Sequence, residues 1–177
     1  MQQTILALAA ILTFSVYALT RHSADAEIER FAITAEVEMA ATDIATARLS
    51  TVLARGFDEA DRARESTRTR PDGLSPIGVA DPDEAVEDQF DDVDDYHGVA
   101  RSSVRPWFGE DLVFTDSVSV RYVDPSNPSA TVPPGSLELG KEITVTVFAA
   151  PAGYVGSPPI GARVRQVVTP ASQARYR

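Results

Sequence analysis

Cysteine is absent from the 177-residue chain, histidine occurs twice and lysine only once. Without cysteine, neither disulfide bridges nor cysteine-type zinc sites can form. Sixteen Lys and Arg stand against twenty-six Asp and Glu and give a net charge of −10. This balance argues against nucleic-acid binding, which needs a basic face. The single lysine, Lys141, is interpreted as a result of GC-rich coding rather than as part of a mechanism.

Charge, glycine and proline are all missing from residues 4–20, TILALAAILTFSVYALT. A helix of this length spans about 26 Å, close to the ~30 Å hydrocarbon core of a bilayer. The segment lacks the basic start and the small-residue cleavage site of a signal peptide, so we predict a retained anchor. The same segment could instead pack into an apolar helical bundle. The predicted membrane and assembly residues are Ile5, Leu6, Leu8, Ile11, Leu12, Phe14, Val16 and Leu19.

Glycine and proline stay absent as far as residue 54, and apolar residues recur there every three or four positions. This spacing predicts one continuous helix over 2–54, apolar all round at first and then amphipathic. The alternative is two helices that break at 21–24. The predicted stripe on the amphipathic half consists of Ile28, Phe31, Ala35, Met39, Thr42, Ala45, Leu49, Val52 and Leu53. Gly56 is predicted to end the helix as a C-cap.

Period-two alternation of apolar and polar residues begins only after residue 110. It predicts strands over 111–123, 141–148 and 161–169, joined as an antiparallel meander because their loops are too short for crossover helices. The sheet needs a cover, and the amphipathic stripe is the only large apolar surface available. The predicted fold is α+β, a lollipop in which a long N-terminal helix packs on a small antiparallel sheet. Its predicted segments are a membrane helix (1–22), its amphipathic continuation (23–55), an acidic connector loop (56–110) and the β-domain (111–177).

The order of three short motifs carries a resemblance to a known family. Residues 91–98 read DDVDDYHG, residues 114–125 read FTDSVSVRYVDP, and residues 141–147 read KEITVTV. This order is similar to that of type IV pilins and pseudopilins, and in particular of minor pilins of the MSHA type. The resemblance implies a structural subunit that is held in the bacterial inner membrane and then packed into a filament. Its implied partners are other pilin-like subunits, which would bind through the apolar helix.

The N-terminus departs from the pilin pattern. Pilin precursors have a basic leader and then a glutamate near the start of the helix, whereas the first acidic residue here is Asp25. Either the leader has diverged or is left off the sequence, or prepilin peptidase does not process the chain. The charge pairing that this glutamate makes during assembly is therefore not expected.

Four aspartates, Asp91, Asp92, Asp94 and Asp95, form the only site-like group in the sequence. Several carboxylates on one loop can bind Ca²⁺, although their spacing is not that of an EF-hand. The alternative is that one or two of them cap turns by accepting backbone N–H bonds. In that case Gly98 would supply backbone freedom and Tyr96 would pack on the sheet. Ca²⁺ is the only cofactor considered.

No motif predicts an enzyme. His97 has aspartate neighbours, but the chain contains no nucleophile elbow, phosphate-binding glycine loop or zinc ligand set. Trp107 and Phe108 are predicted either as core residues or as an exposed adhesive patch. The function that the resemblance implies is a structural subunit, a minor pilin or pseudopilin, of a type IV pilus or a type II secretion-like filament. The alternative is a single-pass envelope protein whose β-domain binds a partner and does not polymerise.

Overall fold

The computed structural model describes residues 2–58, 70–71, 73–78, 86–107, 109–133, 135–151 and 160–173. Helix α1 spans Gln2–Leu53, and two short 3-10 turns follow at Glu87–Gln89 and Asp94–Tyr96. Four strands come next, with a last helical turn, α2, at Pro170–Gln173. The strands are β1 (Ala100–Trp107), β2 (Glu110–Val123), β3 (Gly140–Pro151) and β4 (Ile160–Val168). The chain divides into two compact units, Met1–Val37 and Glu38–Arg177.

The first unit consists of helix without a break in the residues that the structure describes. This confirms one continuous helix, and the alternative break at 21–24 is wrong. None of the helix side chains from 2 to 33 is buried. An apolar helix of this kind has no core of its own, so lipid or other helices must cover it in the native setting.

In the second unit, the end of α1 packs on a four-stranded antiparallel sheet, which confirms an α+β layout. The strands lie in the order β1-β2-β3-β4, with each strand paired to the next in sequence. Alternate residues of β2 and β3 are buried, including Val118, Val120 and Ile143, as the period-two pattern predicts. The predicted meander is therefore confirmed, and its central strands supply most of the core.

The prediction that residues 56–110 form a connector loop is wrong at β1, which lies within that range. β1 pairs with β2 from Ala100↔Ser117 to Trp107↔Glu110. Its side chains are exposed except for the half-buried Trp107, so it has no buried face and no apolar alternation. The available signal in the sequence was Gly109, directly before β2, where the structure has a φ of +88° that favours glycine.

The predicted helix stripe also needs correction. Ile28, Phe31, Ala35, Met39 and Thr42 are exposed, whereas Ala45, Leu49, Val52 and Leu53 are buried as predicted. The buried face begins instead at Val37 and Ala41, because only the end of the helix lies against the sheet. Apolar spacing identifies a helix face, but it does not indicate how much of that face the same chain covers.

Gly56 does not act as the predicted C-cap, since it is not among the glycines with positive φ. Its N–H donates to the Asp91 carbonyl at 2.7 Å, and it forms a parallel bridge with Asp92. An extended backbone is needed for this bridge. Gly56 therefore connects the end of the helix to the acidic loop.

Candidate functional site

The first candidate site is the apolar surface of α1. The eight predicted membrane and assembly residues are all exposed, with 61 to 72% of each side chain accessible. By length and composition α1 can cross a membrane, and none of its apolar window is buried. Signal sequences and the core helices of soluble proteins share this length and composition. The observation therefore establishes an uncovered apolar helix, and no more than that.

A second exposed apolar surface lies further along the same helix. Ile28 and Phe31 are 68% and 77% exposed, three residues apart on one face. Along the axis they lie about 12 and 16 Å beyond Thr20, where the uncharged run ends. The headgroup layer is only about 5–8 Å deep on each side of the hydrocarbon. When the uncharged run spans the hydrocarbon upright, lipid does not reach these two side chains.

The second candidate site surrounds the single lysine. Lys141 is fully buried, and its Nζ donates to the Phe57 carbonyl at 2.6 Å and contacts the carboxylates of Asp94 and Asp58. The Asp58 contact is 3.4 Å long. Asp92 is buried and bonded to Asp94. We call Lys141, Asp58, Asp92 and Asp94 the lysine cluster.

Three parts of the second unit form the lysine cluster. Lys141 lies in β3, between its register partners Tyr122 of β2 and Val168 of β4. Asp58 follows the end of α1, and Asp94 begins the second 3-10 turn. The rings of Phe57 and Tyr122 have their centroids 4.8 and 5.4 Å from Nζ, which favours a cation at this position. The cluster therefore holds the helix end and the acidic loop on the sheet.

Burial shifts the protonation of the aspartates in the lysine cluster. Burial, with repulsion from Asp94, raises the pKa of Asp92 to about 8 against its ordinary 3.8. Burial also raises the pKa of Asp94, although the Lys141 ammonium acts in the opposite direction. Loss of water disfavours the charged form of a carboxyl group. Near neutral pH the raised pKa therefore favours the protonated form of Asp92.

The predicted calcium residues make other contacts in the structure. Asp92 Oδ1 accepts the N–H of Asp94 at 2.8 Å, and Asp95 Oδ2 accepts those of Asp91 and Asp92 at 3.2 Å. These bonds correspond to the turn-capping alternative that the sequence left open. Across the described ranges, no group of three or more histidine or acidic side chains could hold a metal ion. The Ca²⁺ site stays a prediction to which this geometry adds no support.

The remaining residues of the DDVDDYHG run form a structural corner. Gly98 has a φ of +81°, and Tyr96 is fully buried, which confirms both expectations. His97 is exposed, and its Nδ1 accepts the Val120 N–H at 3.1 Å. The proton of a neutral His97 ring is then on Nε2. Trp107 is half-buried at the end of β1, and Phe108 lies outside the described residues, so the adhesive patch stays a prediction.

A second buried charge group lies under the acidic loop. Arg48 is 6% exposed and pairs with Glu87 and, at 3.3 Å, with Asp116 of β2. Its guanidinium also lies 5.2 Å from the ring centroid of Tyr96. Burial would raise the pKa of Glu87, but hydrogen bonds from Arg48 and Arg101 hold it below its ordinary 4.5. These ion pairs are structural contacts between the helix, the loop and the sheet.

The sequence analysis missed Lys141 and Arg48 as functional or structural centres. Lys141 shares its strand parity with Ile143, Val145 and Val147, whose side chains are all buried. The alternation in β3 was therefore an available signal. A charged side chain on the buried face of a strand needs an ion-pair or hydrogen-bond partner. The interpretation of Lys141 as a product of coding bias overlooked its position.

Comparison with known proteins does not identify the chain: no protein-family profile, curated protein or solved structure matches it. The class that the structure itself defines is coarse. It is an α+β protein with a long apolar helix and a four-stranded antiparallel sheet.

Proposed function

We propose that this protein is a structural subunit of a pilin-like filament, assembled through its apolar N-terminal helix. Before assembly it would lie in the bacterial inner membrane as a single-pass protein. In the filament, its helix would pack against those of other pilin-like subunits. Close van der Waals packing of apolar helices supplies free energy for such assembly without a catalytic group.

The observation that carries this proposal is the exposed pair Ile28 and Phe31. A simple membrane anchor needs apolar residues only where lipid covers them. This pair lies beyond the headgroup layer of an upright helix and remains uncovered in the described structure. Neighbouring helices in a filament would cover both the apolar run and this second surface.

The test is to shear filaments from cells and measure the protein in the filament and membrane fractions. We expect wild-type protein in both fractions. Phe31→Ser should reduce the filament share several-fold while the membrane share rises, because the anchor itself is unchanged. The matched control is Val104→Ser, which alters a 59% exposed residue of the edge strand β1. This variant should assemble like wild type.

A different outcome would overturn the proposal. If wild-type protein stays wholly with the membrane pellet and filaments lack it, the alternative gains support. That alternative is an anchored envelope protein whose β-domain binds a partner and never polymerises. Equal filament shares for Phe31→Ser and wild type would show that the second apolar surface does not contribute to assembly.

A further inference from the structure

The lysine cluster places an amine and a carboxyl group in direct contact inside the core. Lys141 Nζ contacts Asp94 Oδ1, and the Phe57 carbonyl at 2.6 Å fixes the position of the amine. Both side chains come from rigid surroundings, a central strand and a turn bonded to the helix end. We propose that Lys141 and Asp94 become joined by an amide between Nζ and Cγ, a cross-link that the folded chain forms by itself.

Burial determines which side of this condensation is favoured. In water the separated ammonium and carboxylate are well hydrated, which favours hydrolysis of an amide. In the cluster Lys141 is fully buried and Asp94 only 7% exposed, so the same ion pair loses most of its hydration. An amide carries no net charge and releases one water molecule to the solvent. The buried site therefore shifts the balance towards the amide.

The proximity of the Lys141 amine and the Asp94 carboxyl group accelerates the condensation. Groups held in reacting geometry behave as if present at effective concentrations of about 10⁵ M or more. The aromatic rings of Phe57 and Tyr122 lie against the Lys141 amine. They keep out water that would compete for protons and hydrate the charges. No cofactor or oxidant is needed, because condensation changes no oxidation state.

Asp92 is placed to move the protons. Asp92 Oδ1 accepts the backbone N–H of Asp94 at 2.8 Å, so the two carboxyl groups lie side by side on one turn, and burial favours the protonated form of Asp92. First the Lys141 ammonium passes a proton to the Asp94 carboxylate and becomes a neutral amine. The Nζ lone pair then attacks Asp94 Cγ and forms the new bond. Asp92 donates its proton to the departing oxygen and receives one from nitrogen.

The step balances with water as its only by-product. The bond that forms is Nζ–Cγ, and the bond that breaks is Cγ–Oδ of Asp94. The oxygen leaves as water with two protons that came from the lysine ammonium, and Asp92 ends in its starting state. General acid–base transfer of this type needs hydrogen-bond reach, and the Asp94 N–H holds the Asp92 carboxyl on the same turn as the reacting carboxyl. Asp92 is therefore a catalytic residue of the cross-linking reaction.

The cross-link would close a covalent loop between residues 47 positions apart. One end lies in a central strand, and the other lies in the turn that bridges to the helix end. A bond across this loop reduces the conformational entropy of the unfolded chain, as a disulfide does. This protein has no cysteine with which to form a disulfide. This inference does not depend on filament assembly, since the domain would cross-link in either functional setting.

The decisive experiment is mass spectrometry of the full wild-type chain after unfolding in guanidinium chloride. Unfolding removes every ion pair and leaves only covalent links. We expect an intact mass lower than that of the unlinked chain by the mass of one water molecule. Trypsin should leave the bond after Lys141 uncut and yield a branched peptide that joins Lys141 to Asp94. A full-mass chain that trypsin cuts after Lys141 would overturn the proposal, as would a branch at Asp58.

Single substitutions distinguish loss of the cross-link from loss of the folded structure. Lys141→Arg retains the positive charge but cannot form this amide, so it should show the full mass. Its melting temperature should fall by roughly 10 °C, as expected for losing a cross-link of this loop length. Asp92→Asn should leave a large fraction unlinked, whereas the exposed control Asp88→Asn should link fully. Complete linking in Asp92→Asn would overturn the role of Asp92, and the wild-type mass decides the cross-link independently.

Discussion

Single charged side chains in the core determine how the β-domain responds to pH. Asp92 has a pKa of about 8 when folded and 3.8 ordinarily, so the folded state binds its proton more tightly. Its contribution to stability is therefore full below pH 3.8 and is lost as pH rises through about 8. Glu87 acts with the opposite sign, because its pKa is lowered and its contribution is lost as pH falls. The charged groups that also shift the pKa of Asp92 are Asp94, Asp95 and Lys141.

We predict that Asp92→Asn flattens this pH dependence. Asparagine has no proton to lose, and its amide N–H can still donate to Asp94. In the Lys141→Arg background, where the cross-link cannot form and both carboxyl groups stay free, the free energy of unfolding should decrease from about pH 5 to about pH 9, and it should change less when Asp92→Asn is added. Urea unfolding in detergent at a series of pH values measures both. Asp88→Asn, an exposed carboxylate change, should retain the slope of that background. Identical slopes with and without Asp92→Asn would contradict the assignment.

At the scale of elements, the first part of α1 is suited to a bilayer. We predict that Leu12→Arg, near the middle of the uncharged run, destabilises membrane insertion by about 3–4 kcal/mol, the cost of Arg plus the lost contribution of Leu. The variant should shift from the carbonate-resistant membrane fraction to the soluble or degraded fraction. Leu12→Ile preserves the apolar volume and should remain in the membrane. If Leu12→Arg partitions like wild type, the run does not lie in the hydrocarbon core.

The helix and three of the four strands could be predicted because they follow a single periodic rule. Helix periodicity without glycine or proline gave bounds within a residue of Gln2–Leu53, and alternation located β2, β3 and β4. β1 could not be found in this way, because an edge strand with both faces exposed carries no apolar pattern. The aspartate partners of Lys141 could not be found either. Asp58 and Lys141 are 83 positions apart, and only the folded topology brings them together.

On the scale of the whole molecule, stability is concentrated in the second unit. Every buried residue that the structure describes lies at Val37 or later in the sequence. We predict that a chain beginning at Ala35 retains a cooperative urea transition. Its free energy of unfolding should match that of the full chain within about 1 kcal/mol, because no buried contact is removed. The first helical turn will fray, which accounts for a small loss.

Circular dichroism and urea unfolding of the shortened chain check this prediction. A control that begins at Asp43 removes Val37 and Ala41 from the core and should be clearly less stable. A shortened chain from Ala35 that lacks a cooperative transition would mean that the first unit is needed for folding. In that case the boundary between the two units at Val37 would not separate the residues that stabilise the fold from those that do not.

The burial of the single lysine also affects laboratory work with this protein. Amine-directed dyes, biotin esters and aldehyde fixatives react with accessible lysines, and Lys141 has no accessible surface. On the native molecule Lys141 therefore offers such reagents no reactive amine. Labelling surveys that depend on lysine chemistry would therefore under-count this protein.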